Sequence, residues 1–120
     1  MRWESETFVQ VRRHSRVFEV VVRGEIDYDE SDLLGAAWDE ADECDMPATV
    51  VDLTGLTFGD SQLLRSLLDA RRRHQANGRV FVLLGPLQES VTRLLTISGT
   101  LEHFTLTNSR AEAVRTTGGW

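Results

Sequence analysis

Apolar and polar positions alternate from Phe8 to Arg12, a period of two that predicts a first, edge strand. Arg13-His14-Ser15-Arg16 is polar and suits a turn. Val17 to Arg23 is a β-branched run and predicts a second strand. The pattern then changes period. Leu33, Leu34, Ala37, Trp38, Ala41 and Cys44 fall on one helical face, with Asp29 or Ser31 as its cap, Asp32 in its first turn and Pro47 marking its exit. Thr49 to Leu53 reads as a short buried strand, broken by Gly55 and Gly59. Leu63, Leu64, Leu67 and Leu68 return to helical spacing in a helix running to about Ala76, where Asn77-Gly78 supplies a left-handed stop.

The last third repeats the alternation. Arg79 to Leu84 predicts a strand, Pro86 suits the first position of a helix from Leu87 to Ile97, and Gly99 closes that helix. His103 to Leu106 is a short strand candidate. Ser109-Arg110-Ala111-Glu112 fits a capping box for a final short helix. Residues 1–6 and 116–120 are expected to fray. The order ββαβαβαβα predicts a single α/β domain over residues 1–120. Its sheet, of about five mostly parallel strands, packs against about four helices through right-handed crossovers.

Composition narrows the class. A chain of 120 residues supports one core, and 41% hydrophobic with 27% charged residues is ordinary for a globular protein. No apolar run approaches the ~20 residues of a membrane span, and the N-terminus shows no apolar signal region. The single Cys44 has no internal partner for a disulfide, so the cytoplasm is the expected compartment. The net charge of −6 argues against a nucleic-acid binder. Between Gly24 and Leu64 there are twelve acidic residues and no basic one. All thirteen basic residues are arginine, a bias that points to a GC-rich genome rather than to a mechanism.

Candidate chemistry concentrates at Asp60-Ser61, where the loop after a strand feeds a helix. A serine there serves either as a helix cap or as a phosphate acceptor beside unpaired backbone N–H groups. Asp27, after the second strand, would reach the same end of a parallel sheet. The remaining motifs read blandly. His14, His74 and His103 lack metal-ligand spacing with one another or with Cys44. No phosphate-cradling glycine loop and no nucleophile elbow occurs. Arg71-Arg72-Arg73 reads as a solvated helix face, Cys44 and Trp38 as core, and Trp3 and Trp120 as exposed near chain ends. Glu25 reads as a solvated strand position.

Three stretches together resemble the STAS family, especially its anti-sigma-factor antagonists. They are Gly24-Glu25-Ile26-Asp27, then Val50-Val51-Asp52-Leu53 with Phe58-Gly59-Asp60-Ser61 and Leu64, then Gly78 to Pro86 with Val91, Leu94, Leu95 and Ile97-Ser98-Gly99. The family's second Ser/Thr is Gln62 here, and its two glycines are Leu63 and Arg65, which should reshape the partner-facing patch. The resemblance implies a non-enzymatic binding module without cofactor or metal. Its partners would be an anti-sigma factor that is also a serine kinase bringing its own ATP, and a phosphatase. Phosphorylation of Ser61 would control the partner switch and so sigma-factor-dependent transcription. Asp27, Asp60, Ser61, Gln62 and Leu63 would contact the partner. The alternative is a constitutive STAS interaction subunit, a transporter-ATPase adaptor or signalling scaffold, with no switch. A small enzyme built on Asp27, Asp60 and Ser61 is disfavoured, because no general base can be argued for it.

Overall fold

The computed structural model describes residues 8–26 and 31–120. Among them lie β1 (Phe8–Arg13), β2 (Val17–Ile26), α1 (Ser31–Cys44), β3 (Ala48–Gly59), α2 (Ser61–Ala76), β4 (Val80–Leu84), α3 (Glu89–Ile97), β5 (Thr105–Thr107) and α4 (Arg110–Thr117). The five strands form one sheet in the order β1-β2-β3-β4-β5. β1 runs antiparallel to β2, and every later pairing is parallel. This is the ββαβαβαβα order that the periodicity predicts.

The central strands are buried on both faces, so they read as continuous apolar runs. Phe18, Val20, Val51, Leu53, Phe81 and Leu83 point to one face, where α1, α2 and α3 cover them with Leu34, Trp38, Leu67 and Leu95. Val17, Val50, Val82 and Leu84 point to the other, covered by Ala113 of α4. Leu33, expected on the buried face of α1, is 45% exposed instead. Cys44 is half-buried against the larger core. Asp29 lies outside the described residues, and with it the capping of α1.

Three local expectations are corrected. β3 does not stop at Gly55. It runs to Gly59 by taking in an extra residue twice: between Val21 and Arg23 its partners advance from Asp52 to Gly55, and between Gly24 and Glu25 from Leu56 to Phe58. Gly55 belongs there because a Cβ would lie 2.9 Å from Cγ of Arg23. Pro86 does not open a helix. It follows a cis peptide bond after Gly85, and α3 begins three residues later, at Glu89. Trp120 is not left exposed: α4 runs to Thr117, Gly118 takes the left-handed stop position (φ 81°), and Trp120 packs on the smaller core. Trp120 lies across the Arg110 guanidinium, 4.1 Å from the ring centroid, and edge-on to His14.

The capping box at α4 forms in a shifted version. Ser109 Oγ accepts from Glu112 N at 3.1 Å, but the Glu112 carboxylate accepts from Asn108 N at 2.8 Å rather than from the cap residue.

Polar groups also hold the interior. His74 is fully buried on the stripe Leu63-Leu67-Ala70-His74. Its Nδ1–H donates to the Ala70 carbonyl at 2.7 Å, so Nε2 accepts from Thr49 Oγ1 at 2.7 Å. Arg79, also buried, reaches the Ala41 carbonyl at 3.1 Å and the Asp42 carboxylate. Arg73 pairs with Asp39, Asp42 and Asp69, so it is a clamp between α1 and α2 rather than a solvated charge. On the opposite face Glu19 is 1% exposed, accepts from His14 at 2.8 Å and lies within 4.0 Å of Arg12 and Arg110.

Candidate functional site

The parallel pairing of β2 with β3 brings Ile26 and Gly59 side by side at the C-terminal end of the sheet. A single residue, Asp60, then turns the chain into α2. Its backbone N–H donates to the Ile26 carbonyl at 3.3 Å, which ties the turn to β2. Its carboxylate accepts from Gln62 N at 2.8 Å, so Asp60 is the N-cap of α2. Its carbonyl accepts from Leu63 N at 3.0 Å and Leu64 N at 3.3 Å.

This corrects the capping role considered for Ser61. Ser61 is the first helical residue, one place beyond the cap. It is exposed, and its hydroxyl makes no hydrogen bond among the described residues. The helix start is not a bare anion site either, since the N–H groups of Gln62, Leu63 and Leu64 are already engaged by Asp60.

The neighbours divide by depth. Gln62 is half-buried and Arg65 exposed, so both present polar atoms around Ser61. Leu63, expected to contact a partner, is fully buried in the larger core. The packing explains why. Gly59 leaves a gap that Leu63 fills, and a Cβ on Gly59 would lie 2.1 Å from Leu63 Cδ2. Leu63 therefore shapes the turn from beneath. Asp27 lies outside the described residues; Asp60 and Ser61 are adjacent at the start of α2.

Beside the turn lies a feature that sequence reasoning missed. Gln88 and Ser90, at the start of α3, donate to the carbonyls of Thr54 and Thr57 on β3. Thr57 Oγ1 in turn donates to the Gly24 carbonyl at 3.0 Å. These bonds open a groove of about 380 Å³ between the end of β3 and α3, lined by Phe58, Ser90, Arg93, Leu94 and Ile97. Phe58 is 45% and Ile97 78% exposed. Alternation from Leu56 would have buried Phe58; the extra residue taken in between Leu56 and Phe58 turns it outward, and the sequence carries no signal for that.

His14 is bonded to Glu19 and His74 is enclosed between α2 and β3. Among the described residues no group of three or more His, Cys, Asp or Glu could hold a metal ion, and no helix is long and apolar enough to cross a membrane.

A five-stranded, largely parallel sheet with an exposed hydroxyl at the start of the second helix defines the class, and the comparisons agree. The STAS domain family matches residues 8–113, so the chain belongs to that family. No curated protein matches its sequence significantly. Among solved structures, it is similar to an anti-sigma factor antagonist from Mycobacterium paratuberculosis: 21% identity, TM-score 0.75, covering 94% of this chain and 95% of that one. It is similar to SpoIIAA in its unphosphorylated form, at 18% identity and TM-score 0.73 over 94% of this chain and 100% of that one. It is also similar to Bacillus SpoIIAA in its phosphorylated form, at 18% identity and TM-score 0.70 over 91% and 98%. At these identities the likeness is one of fold.

Proposed function

We infer that this chain is a cytoplasmic anti-sigma-factor antagonist whose partner binding is switched at Ser61. The observation that carries the reading is the division of labour at the turn. Asp60 does the capping, which leaves the Ser61 hydroxyl exposed and unengaged. Such a hydroxyl can change state without unmaking the helix start. The similarity to SpoIIAA, solved in both unphosphorylated and phosphorylated forms, supports a phosphate as that change.

In this reading the unmodified surface of Asp27, Asp60, Ser61 and Gln62 docks on an anti-sigma factor that is also a serine kinase. Leu63 holds that surface from below. The chain is a binding protein rather than an enzyme, and ATP is bound by the partner. Transfer makes a bond from Ser61 Oγ to the γ-phosphorus and breaks the bond to the β,γ-bridging oxygen. ADP departs and the hydroxyl proton is lost to a base of the kinase. The product carries about −1.5 to −2 charges where a hydroxyl had been. An interface closed around a hydroxyl has to desolvate that dianion, which expels the partner. A phosphatase reverses the step, and transcription by the released sigma factor follows the unphosphorylated form.

The test is phosphopeptide mapping of the protein recovered from its own cells, with partners identified in the same capture. Phosphate on Ser61, absent from Ser61→Ala, with a co-purifying kinase-like ATPase, is the expected outcome. Full phosphorylation of Ser61→Ala would sink the assignment. The second reading, a constitutive STAS adaptor on a transporter ATPase or scaffold, is favoured by one observation: Leu63, where the family has a glycine, is buried against Gly59 beneath the turn. It requires an unmodified Ser61 and a complex insensitive to ATP.

A further inference from the structure

We propose that Arg65 is a built-in counter-ion for a phosphate on Ser61, an inference that rests on the switch reading and assigns its regulation to one side chain. Ser61 and Arg65 stand one turn apart on α2, at i and i+4, where side chains on a helix surface meet. Both are exposed. The surrounding charges leave Arg65 available. Its own i+4 acid, Asp69, is occupied twice over: Oδ1 pairs with Arg72 Nη2, and Oδ2 with Arg73 Nε at 3.0 Å. Arg65 itself has no ion pair among the described residues.

The backbone argues the same way. A phosphate at a helix start is usually held by free N–H groups. Here Asp60 already takes those of Gln62, Leu63 and Leu64, and its carboxylate repels an added anion. A side-chain cation within reach is what remains, and the guanidinium suits a phosphate because it can donate two parallel hydrogen bonds. The phosphorylated state is thereby held against the helix. In the unmodified state the same guanidinium is exposed one turn from the hydroxyl, free for a partner.

The experiment installs phosphoserine at position 61 during translation, so that it depends on no kinase. The second ionisation of the phosphate is then followed by phosphorus NMR in the wild-type background, in Arg65→Gln and in Arg65→Lys. The remaining charges, the adjacent Asp60 carboxylate among them, are the same in all three. The expected result is a midpoint higher by roughly 0.3 pH unit in Arg65→Gln, as for a helix-surface ion pair. Arg65→Lys should restore most of the difference, and salt at about 0.5 M should shrink it. Glutamine is a good helix former, so the comparison does not depend on unfolding. Equal midpoints in all three proteins overturn the proposal. The switch reading fails separately, if protein from native cells never carries phosphate on Ser61.

Discussion

Two polar regions of this molecule are built on opposite principles. Around His74, every arm of the network reaches across the fold: to Thr49 on β3, to Asp42 and Ala41 on α1 through Arg79, and back to its own helix at Ala70. Both His74 and Arg79 are buried, so their partners compensate for lost water. At the Ser61 turn the bonds are nearly all local. Asp60 serves the first turn of its own helix, and the Ser61 hydroxyl makes no bond among the described residues. The first region is spent on holding the fold, with only Arg79 Nε unbonded; the second leaves an exposed hydroxyl unbonded among the described residues and contributes little stability. The contrast teaches where to look for function in a small interaction domain. It lies at the polar group that the fold does not use.

If that contrast holds, the deepest damage comes from the packing beneath the turn rather than from the turn's polar surface. Gly59→Ala places a methyl 2.1 Å from Leu63 Cδ2 and should destabilise by about 3 kcal/mol. Leu63→Ala should cost a similar amount through its cavity. The double variant should lose much less than the sum, because the cavity receives the methyl. Urea unfolding of the four proteins measures this, and strict additivity would show that the two residues do not share one space.

Arg79 is the next largest. Removing its head group by Arg79→Met leaves Asp42 with Arg73 and the Ala41 carbonyl with Asp45 N as their remaining partners. A loss of about 2 kcal/mol is expected, smaller than for a wholly buried pair because Asp42 is 32% exposed. Arg79 Nε is already buried without a partner, so part of the desolvation cost is relieved by the substitution. An unchanged unfolding midpoint would reduce the network to a by-product of packing.

The same network predicts a pH response. Burial pushes His74 below its ordinary value of 6.5; the bond to the Ala70 carbonyl opposes this, and the Arg79 charge adds to it. The unfolded chain therefore binds the proton more readily than the folded one. The stability this supplies is complete above pH 6.5 and falls away as pH drops from there towards the lower folded value. The slope should be about 1.4 kcal/mol per pH unit at most. Unfolding curves at pH 7.5 and 5.5 should diverge in the wild type and converge in His74→Gln. A wild type equally stable at both values would contradict the neutral, Nδ1-protonated histidine.

The alternation of periods made the architecture readable, because each buried strand and each helical stripe carries its own repeat. Val80–Leu84 and the stripe from Leu63 to Ala70 needed no tertiary knowledge. The path of β3 past Gly55 was not readable. A glycine signals a break, and only the neighbouring Arg23 side chain shows that this one instead allows close approach. His74 lies on a helical stripe, but its partners, Thr49 on β3 and Arg79 just before β4, are twenty-five and five residues away in sequence. Trp120 gave no local sign of packing, since its contacts come from His14 and Arg110. Asp60 and Ser61 were legible as a pair. Their roles were not, because two adjacent residues can each cap a helix and only backbone geometry selects Asp60.

The smallest effect is the sharpest test of the contrast. Ser61→Ala removes a hydroxyl that bonds to nothing in the described structure and replaces it with the best helix former. Its stability should stay within about 0.5 kcal/mol of wild type. Asp60→Ala, one residue away, removes a cap and should cost about 1 kcal/mol, while Asp60→Asn keeps the acceptor and should cost far less. Unfolding these three variants side by side separates the two roles without any partner present. If Ser61→Ala proves as damaging as Asp60→Ala, the hydroxyl is part of the fold's own bonding. The unbonded hydroxyl on which a switch depends would then not exist. If Ser61→Ala is silent in stability yet loses phosphorylation in cells, the serine is held at the surface for chemistry that another protein performs.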